Sequence, residues 1–232
     1  MNQTVAQEMH IGGTLVNAAD RVLYIPLGPQ VGLAAVVKRL LDVALSLLLL
    51  LVFSPIIVSI SVAILLQDGR PVFFSQKRMG QNGKKFTVYK FRSMHRDAEK
   101  LLQQVKQHNN IQDGPIFKWR QDSRITKVGR FLRRTSLDEL PQLWNVLLGN
   151  MSLVGPRPPL ESEVIEYEGW QLRRLAVKPG MTGLWQVSGR SNLGFVQMVG
   201  LDIDYIEAWS VWRDLSLLVR TPLAVITARG AY

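Results

Sequence analysis

The chain contains no cysteine, so disulfide bonds, cysteine nucleophiles and cysteine-ligated zinc are excluded. Histidine is almost as scarce: its three residues are scattered, no two stand at ligand spacing, and we assign them no role. There is no internal repeat or low-complexity tract. Hydrophobic residues make up 47% of the chain and charged residues 20%, which excludes a disordered or collagen-like chain. The 232 residues favour one sizeable domain over two independent ones.

Acidic residues are few in one part of the chain. Between residues 77 and 134 there are 16 basic and 4 acidic residues, a local charge of +12, whereas the whole chain carries +10. The rest of the sequence is therefore close to neutral and largely apolar. A concentrated basic block predicts an anionic partner, which at this point is nucleic acid, anionic lipid or a phosphorylated small substrate.

One long hydrophobic run, residues 43–66, contains no charged residue over 24 positions. As a helix it would extend about 36 Å, enough to cross the roughly 30 Å core of a bilayer. A buried core helix is the alternative, but the length and unbroken apolarity disfavour it. A signal peptide is also disfavoured, because the run begins far from the N-terminus and no small-residue cleavage site follows it.

The middle of this run predicts a re-entrant helix rather than a spanning one. Ser54-Pro55 lies there, and proline removes an intrahelical hydrogen bond, so we expect a break whose freed backbone groups the Ser54 hydroxyl could satisfy. Cationic flanks favour the cytoplasmic side, and both ends of the run have them. These residues are Lys38 and Arg39 before the run and Arg70, Lys77, Arg78, Lys84 and Lys85 after it.

The sequence thus divides into a mobile N-terminal arm (1–37), a re-entrant membrane helix (38–70) and a cytoplasmic domain (71–232). We predict an α+β, mostly helical, monotopic membrane protein. Residues 72–76 and 86–91 are predicted to form a hairpin, and strand alternation puts Phe86, Val88 and Lys90 on one face. A lysine in line with two apolar side chains is either an edge charge or a buried functional group.

The densest group of chemically active residues is RRTSLDELPQ at 133–142. Ser136 and Glu139 have the spacing of a capping box, which is one interpretation. The other is catalytic: Asp138 and Glu139 are adjacent carboxylates at a predicted helix start, just after Arg133, where phosphate binding is favoured. One carboxylate could attack phosphorus while the other holds a metal ion. Both interpretations remain open on the residues alone.

Two further segments offer candidates. Gly155 and three prolines make a stiff loop around Arg157, suited to holding a bidentate phosphate clamp, although an ordinary surface turn has the same composition. Asp202 lies near Tyr205 in a predicted helix, where an exposed helix face is the simpler account.

Together these segments resemble a known family. The sequence is similar to the bacterial sugar transferases, the monotopic polyprenyl-phosphate phosphoglycosyl transferases, from about residue 38 to the end. Its length and its ending resemble the compact type that initiates exopolysaccharide synthesis. The blocks that carry the resemblance are KRLLD (38–42), SP (54–55), KFRSM (90–94), SLDELPQ (136–142), MSLVGPRP (151–158) and KPGMTG (178–183).

The resemblance implies transfer of hexose-1-phosphate from a UDP-hexose to undecaprenyl phosphate, with release of UMP. It assigns Asp138 as the nucleophile that forms a phosphosugar-enzyme, and Glu139 as its partner, the two holding Mg²⁺. Further site residues that it implies are Lys90, Arg133, Arg157 and, less directly, Asp202.

The same resemblance implies a place in the bacterial inner membrane, with the catalytic domain on the cytoplasmic face and the Ser54-Pro55 break inside the membrane. No nucleic-acid partner is then expected. The rival hypothesis from another class is a membrane-anchored basic protein that binds anionic lipid or nucleic acid. The sugar cannot be chosen from the residues, although the type favours galactose or glucose. The oligomeric state also stays open, a homo-oligomer included.

Overall fold

The computed structural model describes the backbone of residues 13–18, 21–26, 28–98, 100, 122–189 and 193–227. The helices are α1 (Gly32–Asp68), α2 (Lys127–Arg134), α3 (Gln142–Leu147), α4 (Glu161–Ile165), α5 (Leu184–Ser188), α6 (Phe195–Glu207) and α7 (Val211–Ile226). The strands are β1 (Gly13–Ala18), β2 (Arg21–Pro26), β3 (Phe73–Met79), β4 (Lys85–Phe91), β5 (Ser152–Val154) and β6 (Gly180–Thr182). Short 3₁₀ helices cover Gln81–Gly83, Leu137–Glu139 and Gly169–Ala176. This mostly helical arrangement with small sheets confirms the predicted α+β class.

The strands of the described residues form two antiparallel pairs and one parallel pair. The predicted hairpin is β3–β4, in which Phe74 lies opposite Lys90 and Arg78 opposite Phe86. The pair β5–β6 is parallel, with Ser152 opposite Gly180. A second hairpin, β1–β2, lies within the segment predicted as a mobile arm, and β2 runs beside Gly169–Ala176. The boundaries 1–37, 38–70 and 71–232 themselves stay predictions.

Helix α1 is the one helix of the described residues that is long and apolar enough to cross a membrane. It begins at Gly32, before the predicted boundary at residue 38, and its most apolar 18-residue window has a mean hydropathy of 2.8. Only 11% of that window is buried against the rest of the chain. A large exposed apolar surface of this kind indicates association with a membrane.

The predicted break at Ser54-Pro55 needs correction, because α1 runs as a helix through both residues. Pro55 has no N–H, so the carbonyl of Leu51 loses its usual helical donor. The hydroxyl of Ser54 donates to that carbonyl over 2.8 Å, as the sequence suggested it could. The freed acceptor is therefore satisfied locally, and the helix continues where a break was expected.

Both halves of α1 pack on the same domain. Near its start, Asp42 accepts hydrogen bonds from the Ser152 hydroxyl and the Leu153 amide of β5. Beyond Pro55, Ile60 and Ile64 are buried with residues of β4 and α2. The residues around Pro55 between these contacts are largely exposed. The helix is thus anchored at two places, with its most apolar middle uncovered.

Two glycines allow the close approaches that assemble the domain. A Cβ atom on Gly129 of α2 would collide with the carbonyl of Ser93, and one on Gly180 of β6 would collide with the amide of Gly155. Only a residue without a side chain fits at either position. These contacts set α2 against the segment after β4, and β6 against the loop that carries Arg157.

Candidate active site

The adjacent carboxylates lie in a single 3₁₀ turn, Leu137–Glu139, which precedes α3. Ser136 has a left-handed backbone (φ 55°), and its side chain makes no capping hydrogen bond. The capping-box interpretation is therefore wrong, because the Ser136 side chain caps no amide and the Glu139 carboxylate is held by another partner. A strained non-glycine residue beside a candidate nucleophile is typical of functional sites.

That partner of Glu139 is Lys90, whose Nζ lies 2.5 Å from Oε1 of the carboxylate. Lys90 follows Val88 on the same face of β4, as the alternation predicted, and Val88 is buried in the core. The hairpin is fixed to α3 by Asn145, whose side chain accepts from the Tyr89 amide and donates to the Thr87 carbonyl. The strand that carries Lys90 and the turn that carries the carboxylates are thus tied together.

The residues after Lys90 connect the site to the membrane helix. Arg92 donates to the carbonyls of Asp68 and Gly69 at the end of α1, and forms an ion pair with the Asp68 carboxylate at 3.0 Å. Ser93 accepts a hydrogen bond of 2.9 Å from Nε of Arg133. One short segment therefore links the end of α1, a site lysine and a site arginine.

The two carboxylates differ in acidity. Burial raises the pKa of Asp138 to about 6, and the like charge of Glu139 adds to this while Lys90 and Arg133 oppose it. Burial also acts to raise the pKa of Glu139, but the charge and hydrogen bond of Lys90, followed by the charge of Arg157, outweigh burial, so the pKa is lowered. Glu139 is thus the stably ionised member. A cation bound beside Asp138 would favour its ionised form as well.

Arg157 stands on a loop whose carbonyls are held from several sides. The Pro156 carbonyl accepts from the Gly180 amide, and the Pro158 carbonyl accepts from the Arg78 guanidinium over 3.1 Å. Prolines have no N–H, so the prolines of this loop are anchored through their carbonyls, while the amide of Gly155 donates to the Thr182 carbonyl of β6. The Arg157 side chain contacts the buried carboxylate of Glu163 at 3.3 Å.

Asp202 lies away from the carboxylates. It is fully buried in α6, and its Oδ2 is 2.7 Å from Nη2 of Arg174, which is also buried. Arg174 in turn donates to the Tyr167 hydroxyl over 2.7 Å. The structure therefore brings together five of the six predicted residues, Lys90, Arg133, Asp138, Glu139 and Arg157, and places Asp202 in a buried ion pair behind the Arg157 loop.

Sequence reasoning missed two residues of this region, Arg78 and Glu163. The signal for Arg78 is the strand register, since it shares a face of the hairpin with Lys90. Glu163 gives no local signal, because its contact with Arg157 depends on how the chain turns after the prolines.

The described residues contain no group of three His, Cys, Asp or Glu side chains that could hold a metal ion. Asp138 and Glu139 offer two carboxylates beside several cations. This donor set fits Mg²⁺, which is usually bound by one or two carboxylates together with substrate phosphates and water. A site of this kind would bind its metal ion together with the substrate phosphates, not in a closed cage of protein ligands.

Comparison with known proteins identifies the family. The family model described as bacterial sugar transferase matches residues 33–228. The chain is 47% identical over 197 residues to galactosyl transferase CpsE of Streptococcus agalactiae, an alignment covering 84% of this chain and 43% of that protein. It is 42% identical to undecaprenyl-phosphate galactose phosphotransferase of Salmonella typhimurium, with 84% and 41% covered. It is 39% identical to exopolysaccharide production protein ExoY of Rhizobium meliloti, with 84% and 88% covered. The chain thus spans less than half the length of the first two relatives but most of the third.

Proposed function

The chain belongs to the bacterial sugar transferase family, and we propose that it transfers hexose-1-phosphate from a UDP-hexose to undecaprenyl phosphate, as the first step of exopolysaccharide synthesis. The observation that carries this proposal is the buried Asp138 beside the Lys90–Glu139 ion pair, with Arg133 and Arg157 around it. The names of relatives support the chemistry, since they include an undecaprenyl-phosphate galactose phosphotransferase and a UDP-glucose:undecaprenyl-phosphate glucose-1-phosphate transferase from Escherichia coli.

In the proposed first step, a carboxylate oxygen of Asp138 attacks the phosphorus that bears the sugar. The bond to the bridging oxygen breaks, and UMP leaves with that oxygen and its electron pair. In the second step, a phosphate oxygen of undecaprenyl phosphate attacks the same phosphorus and displaces the Asp138 carboxylate. The product is an undecaprenyl diphosphate sugar, and Asp138 is regenerated.

The surrounding residues stabilise the charge of these phosphates. Arg133 and Arg157 bind phosphate oxygens, and Lys90 holds Glu139 ionised and in place. Mg²⁺ held by Asp138 and Glu139 would neutralise part of the diphosphate charge. The site needs this dense positive charge because donor and acceptor are both phosphates.

A membrane-bound acceptor accounts for the position of the site. Undecaprenyl phosphate keeps its phosphate at the headgroup level, so the nucleophile has to lie close to the membrane surface. Arg92 and Ser93 connect the end of α1 to Arg133, which supports a site at that depth. We place the catalytic domain on the cytoplasmic face of the inner membrane, because the cationic residues at both ends of α1 favour that side.

We expect the purified chain to release UMP from a UDP-hexose over multiple turnovers only when Mg²⁺ and undecaprenyl phosphate are both supplied. Removal of Mg²⁺ with EDTA should abolish multiple turnover, and excess Mg²⁺ should restore it. A coupled UMP assay over a panel of UDP-sugars, with UDP-galactose and UDP-glucose as leading candidates, tests the reaction and identifies the sugar. If anionic vesicles or nucleic acid bind tightly but no UDP-sugar is turned over, the basic binding protein is the correct interpretation.

The absence of cysteine makes the topology directly testable, because any introduced thiol is the only one in the chain. We expect Pro29→Cys and Lys84→Cys, both exposed positions on either side of α1, to be labelled by an impermeant maleimide in inverted vesicles and not in intact spheroplasts. Val52→Cys is the matched control: it is exposed from the protein but should react only after detergent is added. Labelling of positions 29 and 84 from opposite sides would mean that α1 spans the membrane.

A further inference from the structure

The β3–β4 hairpin carries a second cation on the face that presents Lys90 to the carboxylates. Phe74 pairs with Lys90 and Arg78 pairs with Phe86, so Arg78 lies on the Lys90 side of the hairpin. Lys77, the neighbouring residue, has its side chain on the opposite face and is exposed. Lys77 and Arg78 thus carry the same charge on opposite faces of the hairpin, and Arg78 is the one that faces the site.

The guanidinium of Arg78 is held in place without being neutralised. Nη1 donates to the Pro158 carbonyl over 3.1 Å, and Nη2 donates to the Gln76 side-chain oxygen over 2.8 Å. Both acceptors are uncharged. Within the described residues, no carboxylate oxygen lies within 4.0 Å of Arg78, in contrast to Arg157, which is paired with Glu163. Arg78 is therefore a fixed, half-buried charge with donors to spare.

A second guanidinium lies close to the first. Burial and then the like charge of Arg157 lower the pKa of Arg78 to about 10, against the opposing charges of Glu163 and Glu139. Two cations that repel each other beside a buried site are stabilised when an anion lies between them. Guanidinium groups are suited to this, because their paired N–H donors match phosphate oxygens.

We propose that Arg78 and Arg157 together bind the diphosphate of the nucleotide sugar, which makes Arg78 a substrate-binding residue. Two neighbouring cations match the two linked phosphoryl groups of a diphosphate, whereas the lipid acceptor has one. Arg92 ties the other end of the hairpin to α1, so Arg78 lies at the end away from that contact. This inference rests on the proposed function, and it assigns Arg78 to the water-soluble donor.

The test compares Arg78→Gln with Lys77→Gln, which removes the same charge from the opposite face. UDP binding to the full-length purified protein is measured by calorimetry, and KM values are measured for the UDP-sugar and for undecaprenyl phosphate. A lost charged hydrogen bond predicts UDP binding weaker by about 10- to 100-fold in Arg78→Gln, with a matching rise in the KM for the UDP-sugar. The KM for undecaprenyl phosphate and the properties of Lys77→Gln should not change.

Unchanged UDP affinity in Arg78→Gln, an equal loss in Lys77→Gln, or a shift confined to the KM for undecaprenyl phosphate overturns the proposal. UDP binding needs no turnover, so failure of the proposed reaction would be seen separately as absent UMP release.

A second comparison separates direct binding from a purely structural tether. If Arg78 only holds the Pro158 carbonyl and thereby places Arg157, Arg78→Gln has no further effect on UDP affinity once Arg157 is replaced by Gln. Direct contact predicts that the double variant binds UDP more weakly than either single variant. Thermal unfolding of each variant establishes that the fold is retained. Equal affinities of Arg157→Gln and the double variant would contradict the proposal.

Discussion

Asp138→Asn is expected to lower kcat by at least about 10⁴-fold while leaving the fold intact. The amide has the size of the carboxylate but cannot attack phosphorus. Within the described residues no ion pair includes Asp138, so its replacement removes no structural salt bridge. UMP release under saturating substrates, with circular dichroism of the same sample, measures both parts of the expectation.

The same replacement should not destabilise the protein. The pKa of Asp138 is raised from 3.8 to about 6, so its proton is bound more tightly in the folded chain than in the unfolded one. The free energy of unfolding therefore falls as the pH rises from about 3.8 to about 6, and it remains lower above pH 6. Asparagine carries no such penalty. In buffer without divalent cations at pH 8, Asp138→Asn should unfold at the same temperature as the wild type or at a higher one.

Asp204→Asn is the matched control, since Asp204 lies exposed on α6 and should tolerate the same change. With a UDP-sugar but no lipid acceptor, the wild type should release about one UMP per chain and gain the mass of a hexose phosphate on the peptide that contains Asp138. Asp138→Asn should do neither. UMP formed only when the acceptor is present, with no adduct, would support direct transfer in a ternary complex.

The local elements near the site follow from sequence patterns. Alternation along β4 places Lys90 with Val88, and the hairpin forms from the two segments predicted for it, 72–76 and 86–91. The family motifs pointed to Asp138, Glu139, Arg133 and Arg157, and the structure gathers all four. These residues could be found because each belongs to a short local motif, the segment 133–142 or the proline-containing loop around Arg157.

Other features depended on contacts between distant segments. The resemblance implies a site role for Asp202, which stays a prediction; its carboxylate pairs with Arg174, and no pattern within α6 shows that partner. Ser136 and Glu139 have capping spacing, but Lys90, 49 residues earlier, takes the carboxylate instead. The helix continues through Pro55 because one serine hydroxyl satisfies one carbonyl. In each case a long-range or side-chain contact outweighed the local preference.

A large loss of folding stability is expected from a replacement at the contact between α1 and the catalytic domain. Nζ of Lys38 lies 2.6 Å from the Asp214 carboxylate of α7, and both side chains are buried. Asp214 also accepts hydrogen bonds from the Tyr205 hydroxyl and from the Trp209 indole. Asp214→Leu leaves a buried ammonium group without its counter-ion, which should lower the free energy of unfolding by about 3–5 kcal/mol. Thermal or denaturant unfolding in nanodiscs measures this loss.

A double-mutant cycle shows whether the pair itself is responsible. Lys38→Met with Asp214→Leu removes both charges, so the double variant should recover most of the stability that Asp214→Leu loses. Since Lys38 also donates to the Val154 carbonyl, just before the Arg157 loop, Asp214→Leu should lower activity toward membrane-held undecaprenyl phosphate as well. Strictly additive losses would mean that the two charges do not act as a pair. The start of α1 would then be held to the catalytic domain by the contacts of Asp42 with β5 and of Arg39 with the carbonyls of Val146 and Leu147.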